Sequence, residues 1–260
     1  MLRFAANLSM LYPEHPLLER FAAAARDGFK AVEIQFPYAA TKEDLADALA
    51  ESGLTLVLHN LPGGDWAKGE RGIACHPDRM AEFRRGVEQA IAYAQALGCR
   101  QVNCLAGIKP DDVTEGTAFA TLVGNLQFAV DAFKDANIRL LLEPINRFDV
   151  PGFFVDRLAI ALAVMAEVAS DNLFLQYDLY HQHRMKGDLV ADFLKHRERI
   201  AHIQLADHPG RHEPGTGEID FAAILKAIDE AGYAGWIGCE YKPKGDTSAS
   251  LGWIKKLTGA

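Results

Sequence analysis

Apolar residues along this chain fall into short runs and longer, periodic ones that alternate. The short runs are rich in Val, Ile, Leu and Phe and are bounded by turn residues. They occur at RFAANL (from Arg3), AVEIQF (from Ala31), LTLVLH (from Leu54), RQVNCL (from Arg100), IRLLLE (from Ile138), NLFLQYD (from Asn172), IAHIQL (from Ile200) and GWIGCE (from Gly235). Such runs fit strands buried on both faces. Between them lie helical patterns. LLERFAAAARDG (from Leu17) closes on Gly28 and RMAEFRRGVEQAIAYAQALG (from Arg79) on Gly98, glycine being a common helix terminator. FAAILKAIDEAG (from Phe221) follows Asp220, an N-cap residue, and closes on Gly232. Other helices are expected to start near Thr41, Thr114, Val155, Asp188 and Ser248.

The pattern therefore predicts eight strands and eight helices in strict alternation. Alternation of this kind implies parallel strands joined by right-handed crossovers. A doubly wound open sheet is the competing architecture. The count closes at eight, and no G-x-G-x-x-G follows the first strand, so the expectation is α/β, a single (β/α)8 TIM barrel spanning residues 1–260 as one domain. A chain of 260 residues suits such a barrel and buries enough surface to fold without staples.

Composition narrows the function. The formal charge of −8 argues against DNA or RNA as substrate, since nucleic-acid binders carry basic surfaces. No apolar run is long enough for a membrane span. The start, MLRFAANLSM, lacks the basic end and apolar stretch of a signal peptide, so a cytoplasmic protein is expected. Cys75, Cys99, Cys104 and Cys239 show no C-x-x-C spacing and read as reduced packing residues rather than a zinc site.

Parallel barrels carry their chemistry at the carboxyl ends of the strands. Four consecutive strands end in polar residues: Glu143, Asp178, Gln204 and Glu240, separated by 35, 26 and 36 residues. One such residue alone would merely mark where a sheet meets water. Three carboxylates and an amide converging on one half of the mouth are harder to reconcile with that. Packed carboxylates repel, and a divalent cation relieves the repulsion. Oxygen-only donors suit Mg²⁺ or Mn²⁺ better than Zn²⁺.

The segments LLLEPINRFDVPGFF (from Leu140), QYDLYHQHRM (from Gln176), HIQLADHPGRHEPGTGEIDF (from His202) and GWIGCEYKP (from Gly235) resemble those of the hydroxypyruvate isomerase family. So do FAANLSMLY near the start and LHNLPGGDWAKGERGIACHP (from Leu58), so the resemblance spans nearly the whole chain. The wider xylose-isomerase-like superfamily also holds ketose 3-epimerases, 2-oxo-tetronate isomerases, inosose dehydratases and DNA repair enzymes of the endonuclease IV type. The resemblance implies a metal held by Glu143, Asp178, Gln204 and Glu240, with Glu143 and Glu240 as the acid–base pair. It implies a substrate contact for His181, in the D-x-x-H position. Gln204 stands where the epimerases have His, which shifts the expectation away from them, and the additional zinc ligands of the repair enzymes are not found.

The activity implied is interconversion of hydroxypyruvate and tartronate semialdehyde (2-hydroxy-3-oxopropanoate) through an enediolate. A 2-oxo-tetronate isomerase acting on a four-carbon keto-acid, a ketose 3-epimerase and a non-catalytic sugar-acid binder are the alternatives. A substrate carboxylate needs a cationic partner, for which Arg211 and Lys242 are the candidates, each equally readable as a surface charge. His59, ending strand three, is read as a hydrogen-bond donor to substrate, or else as a core histidine. Glu213 is read as a solvated loop carboxylate or as a residue orienting His181 or Arg211. The loop GGDWAKGERG (from Gly63), centred on Trp66, reads either as a lid or as a surface turn. The partner expected is a small keto-acid, and the sequence is compatible with a homo-oligomer.

Overall fold

The computed structural model describes residues 1–259. Its strands are β1 (Phe4–Asn7), β2 (Ala31–Ile34), β3 (Thr55–Asn60), β4 (Gln101–Cys104), β5 (Arg139–Leu142), β6 (Leu173–Asp178), β7 (Ile200–Leu205) and β8 (Ile237–Cys239). They form a closed barrel in the order β1-β2-β3-β4-β5-β6-β7-β8. Pairing is parallel, with Ala5 opposite Ala31, Ala6 opposite Cys239, Gln204 opposite Gly238, and Asn103 opposite Leu141. The fold is thus the (β/α)8 TIM barrel that the alternation predicts.

The helices are α1 (Leu17–Arg26), α2 (Lys42–Ser52), α3 (Met80–Ala96), α4 (Glu115–Asp135), α5 (Leu158–Val168), α6 (Leu179–Arg184), α7 (Leu189–His196), α8 (Phe221–Glu230), α9 (Thr247–Ser250) and α10 (Gly252–Thr258). Strict one-to-one alternation fails at two places among the described residues. After β6 the chain makes two helices: α6 begins on the Asp178 cap, Lys186 then turns to φ 61°, and Asp188 caps α7 by accepting from Ala191 N. The last helix starts at Thr247, next to the expected Ser248, is capped by Asp246, and is split at Leu251 into α9 and α10. None of the described helices is long and apolar enough to cross a membrane.

Two compact units make up the chain. The first holds residues 1–35, 43–57 and those from Tyr177 onward. In it Ala5, Ala31 and Val57 pack as an apolar cluster with Trp236 against it. Side chains alternate along a strand, so the residue two positions on shares the same face. That face continues from Ala5 to Asn7 on β1 and from Ala31 to Glu33 on β2, an apolar layer giving way to a polar one. The second unit holds residues 36–42 and 58–176. It contains α4, whose buried Leu122, Leu126, Ala129, Val130 and Phe133 recur at helical spacing along one side. Thr114 caps α4 by accepting from Thr117 N at 3.1 Å. Leu140, Leu141 and Leu142 of β5 are fully buried.

The four cysteines are free and buried, as packing residues are. Burial pushes the Cys75 and Cys99 thiols up to about 12, which makes them poor nucleophiles and poor metal ligands at neutral pH.

Leu142 and Leu194 provide opposite ends of a burial scale, 0% against 41% exposed. Leu142→Ala should lower unfolding free energy by roughly 2–5 kcal/mol and Leu194→Ala by less than about 0.5 kcal/mol. Urea denaturation of the two variants, compared with the parent chain, reads both.

Candidate active site

In the first unit, Asp178 ends β6 and is almost wholly buried. Its Oδ1 accepts from Tyr180 N at 2.8 Å and His181 N at 3.3 Å, capping α6. Its Oδ2 faces His181 Nε2 at 3.5 Å and Arg211 Nη2 at 3.7 Å. Burial raises the Asp178 carboxyl above its usual range, while the Arg211 charge and the two N–H groups oppose the rise. Glu240 follows β8 and is also buried. Its Oε1 accepts from Gln35 Nε2 at 2.5 Å and Asn7 Nδ2 at 3.3 Å, and its Oε2 accepts from Arg211 Nη2 at 2.5 Å. Burial raises this carboxyl too, Arg211 lowers it, and the Asp178 and Glu33 carboxylates raise it further.

Arg211 therefore stands against the two carboxylates rather than out in the loop. It is held at φ 57°, an uncommon backbone conformation for a residue with a side chain, and its guanidinium lies 5.2 Å from the Tyr180 ring. Lys242 is exposed, and its backbone docks on the Arg211 loop by donating from N to Arg211 O at 2.7 Å. Glu213 accepts from Lys244 N at 3.1 Å, so it ties the two loops after β7 and β8 together. Gln204, buried on β7, donates from Nε2 to Glu33 at 2.7 Å.

In the second unit, Glu143 directly follows β5 and is buried. Its Oε2 accepts from Asn103 Nδ2 at 2.9 Å, and the same amide donates to Asn60 Oδ1 at 3.2 Å. His59, fully buried near the end of β3, keeps Nδ1 at 3.1 Å from Asn60 O. Tyr38 Oη also donates to that carbonyl, at 2.6 Å, and lies 3.4 Å from His59 Nδ1. A carbonyl only accepts, so His59 Nδ1 carries the hydrogen and the neutral ring presents a lone pair at Nε2. Nε2 has no partner among the described residues. The expected donor is in this geometry an acceptor. Burial pulls the His59 pKa down to about 4, with the bond to Asn60 opposing.

The loop around Trp66 holds itself together. Arg71 lies 4.0 Å over the Trp66 ring, Phe36 is 4.8 Å away, and Glu70 bonds Asp65 N and pairs with Arg79 at 2.6 Å.

Within the first unit the buried Asp178 and Glu240 carboxylates both face Arg211 Nη2, and His181 Nε2 stands 3.5 Å from Asp178 Oδ2. Two carboxylates and an imidazole held together out of water form a donor set that fits a divalent cation. His181, expected as a substrate contact, stands beside Asp178. The sequence reading passed over Asn7, Glu33, Gln35, Asn103 and His202, which supply or receive the hydrogen bonds behind the carboxylates. The one visible signal was an acid inside an apolar strand, Glu33 in AVEIQF.

The chain is 49% identical over 254 residues to a hydroxypyruvate isomerase of Escherichia coli (strain K12), covering 98% of both chains. It is 45% identical over 259 residues to a 2-oxo-tetronate isomerase of Cupriavidus necator, covering 100% of both. A crystal structure described as an AP endonuclease, family 2, from Brucella melitensis matches with a TM-score of 0.95 at 40% identity, covering 98% of this chain and 99% of that one. The profile of the xylose isomerase-like TIM barrel family matches residues 21–257. The chain belongs to the xylose isomerase-like TIM barrel family and, within it, to the hydroxypyruvate isomerase family: it is an isomerase.

Proposed function

We propose that this isomerase interconverts hydroxypyruvate and tartronate semialdehyde, with a divalent cation, Mg²⁺ or Mn²⁺, held by Glu143, Asp178, Gln204 and Glu240. The observation that carries the reading is the buried grouping of Asp178, Glu240 and His181, with Arg211 against both carboxylates. Burial that lifts Asp178 and Glu240 out of the ordinary carboxylate range supports it, because a cation in their midst offsets that cost. Full-length similarity to a hydroxypyruvate isomerase supports the substrate. The cation supplies Lewis-acid polarisation of the carbonyl and stabilises the negative charge that develops on oxygen.

The chain's own residues move the protons. In the forward direction one of Glu143 and Glu240 takes a hydrogen from C3 as a proton, and the electron pair becomes the C2–C3 double bond of the enediolate. The other glutamate, protonated, delivers to C2, while the hydroxyl hydrogen leaves O3 and one is gained at O2. Atoms and charge balance without an oxidant. His59 Nε2, bearing a lone pair, accepts from a substrate hydroxyl, and His181 holds a substrate oxygen. Arg211, with Lys242 as a second cation, neutralises the substrate carboxylate. Arg211 is paired with Glu240, so it also holds that glutamate in place.

A second reading, a 2-oxo-tetronate isomerase taking the four-carbon keto-acid, is favoured by 45% identity across the full length of such an enzyme. The same residues would act, and pocket length would decide.

Assay of hydroxypyruvate and 2-oxo-tetronate side by side, with and without EDTA, tests both readings. The expected result is faster turnover of hydroxypyruvate, lost with EDTA and restored by Mn²⁺. A higher kcat/KM for the four-carbon acid would select the second reading, and full activity after metal stripping would refute the cation.

Glu143→Gln and Glu240→Gln should each lower kcat by about 10²–10⁴-fold with unchanged circular dichroism. Near-normal turnover in either would remove it from the proton path.

His59 has a folded pKa of about 4 against 6.5 when unfolded. A depressed histidine contributes stability that is present above pH 6.5 and lost as pH falls towards 4, by up to about 3 kcal/mol. Urea midpoints between pH 7 and 4 should therefore fall less steeply in His59→Gln than in the parent chain; parallel curves would contradict the buried neutral ring.

A further inference from the structure

Glu33 lies in β2 with 1% exposure, and the proton path above gives it no task. Its carboxylate accepts three hydrogen bonds: from His202 Nε2 at 2.6 Å, Gln204 Nε2 at 2.7 Å and Asn7 Nδ2 at 2.8 Å. The room it occupies exists because residue 238 is glycine: a Cβ there would stand 2.5 Å from Glu33 Oε1 and from its carboxyl carbon.

A carboxylate can only accept, whereas a primary amide has a donor end and an acceptor end. Glu33 can therefore face only the NH₂ of Gln204, which puts Gln204 Oε1 on the other side of the amide. This orientation is the one that matters for a cation, since an amide ligates through oxygen and its NH₂ would repel the ion. Asn7 is fixed by the same logic: its NH₂ serves Glu33 and Glu240, while its Oδ1 accepts from Ser9 N at 3.0 Å. His202 likewise turns its Nε2–H to Glu33, and its Nδ1 has no partner among the described residues. Glu33 thus sits behind two of the residues read as ligands, Gln204 directly and Glu240 through Asn7.

We infer that Glu33 is a positioning residue that selects the orientation of the Gln204 amide in which oxygen, rather than NH₂, is presented to the cation. The inference rests on the reading of Gln204 as a ligand. Replacing Glu33 with glutamine removes the selection, because an amide at position 33 can either donate or accept.

The test is a double-mutant cycle on Mn²⁺ affinity, measured by calorimetric titration of metal-stripped parent chain, E33Q, Q204A and E33Q/Q204A. Expected is a loss of about 10–100-fold in E33Q, the range found for groups that orient ligands. In the Q204A background the same change should cost less than about threefold. Unchanged affinity in E33Q, or an equal loss in both backgrounds, would overturn the inference and leave Glu33 a packing residue. If circular dichroism shows E33Q unfolded, G238A replaces it in the cycle with the same two outcomes, because the new Cβ displaces the Glu33 carboxylate while keeping its charge. Absence of saturable Mn²⁺ binding by the parent chain would refute the ligand reading and this inference together. Binding by the parent without coupling in the cycle would refute this inference alone.

Discussion

A carboxylate taken out of water must find donors, and this barrel takes several of them out, among them Glu33, Glu143, Asp178 and Glu240. Each therefore recruits N–H groups. Asn103 serves Glu143, two backbone amides serve Asp178, Gln35, Asn7 and Arg211 serve Glu240, and three side chains serve Glu33. Much of what is polar in these strands exists to meet that demand. The raised carboxyls of Asp178 and Glu240 show that donors alone meet it incompletely, which is the physical case for a cation.

Because carboxylates accept and never donate, the demand also fixes direction. It decides which end of the Gln204 and Asn7 amides faces Glu33 and which nitrogen of His202 carries hydrogen. The backbone carbonyl of Asn60 does the same for His59. Proton and lone-pair positions around the site are thus consequences of a few acceptor-only groups. The proton shift proposed above needs such fixed directions, since acid and base must not exchange roles by rotating.

The barrel and its strand-end acids were legible in the chain because both depend on short-range pattern. An acid directly after an apolar run, as at Glu143 or Asp178, marks where a buried strand meets the mouth. The second layer was not legible for the opposite reason. Glu33 meets His202 and Gln204 across 169 and 171 residues of sequence, and nothing near any of them announces the pairing. A single acid within a strand alternates like any polar residue. The supernumerary helix after β6 escaped because its start depends on the Asp178 cap, and Asp178 had already been read for its chemistry. The need for a cation opposite a substrate carboxylate nominated Arg211 but could not reveal that it lies on Glu240.

The side chain of Asp178 is divided between two tasks, one oxygen starting α6 and the other turned towards His181 and Arg211. The imidazole of His181 is consequently anchored to the register of β6 itself, three residues from the strand's last position, with no hinge between. The stretch after α6, from Met185 to Asp188, can lengthen or shorten during divergence without shifting that ring. The connection between α6 and α7 can thereby be remodelled while that imidazole stays in place.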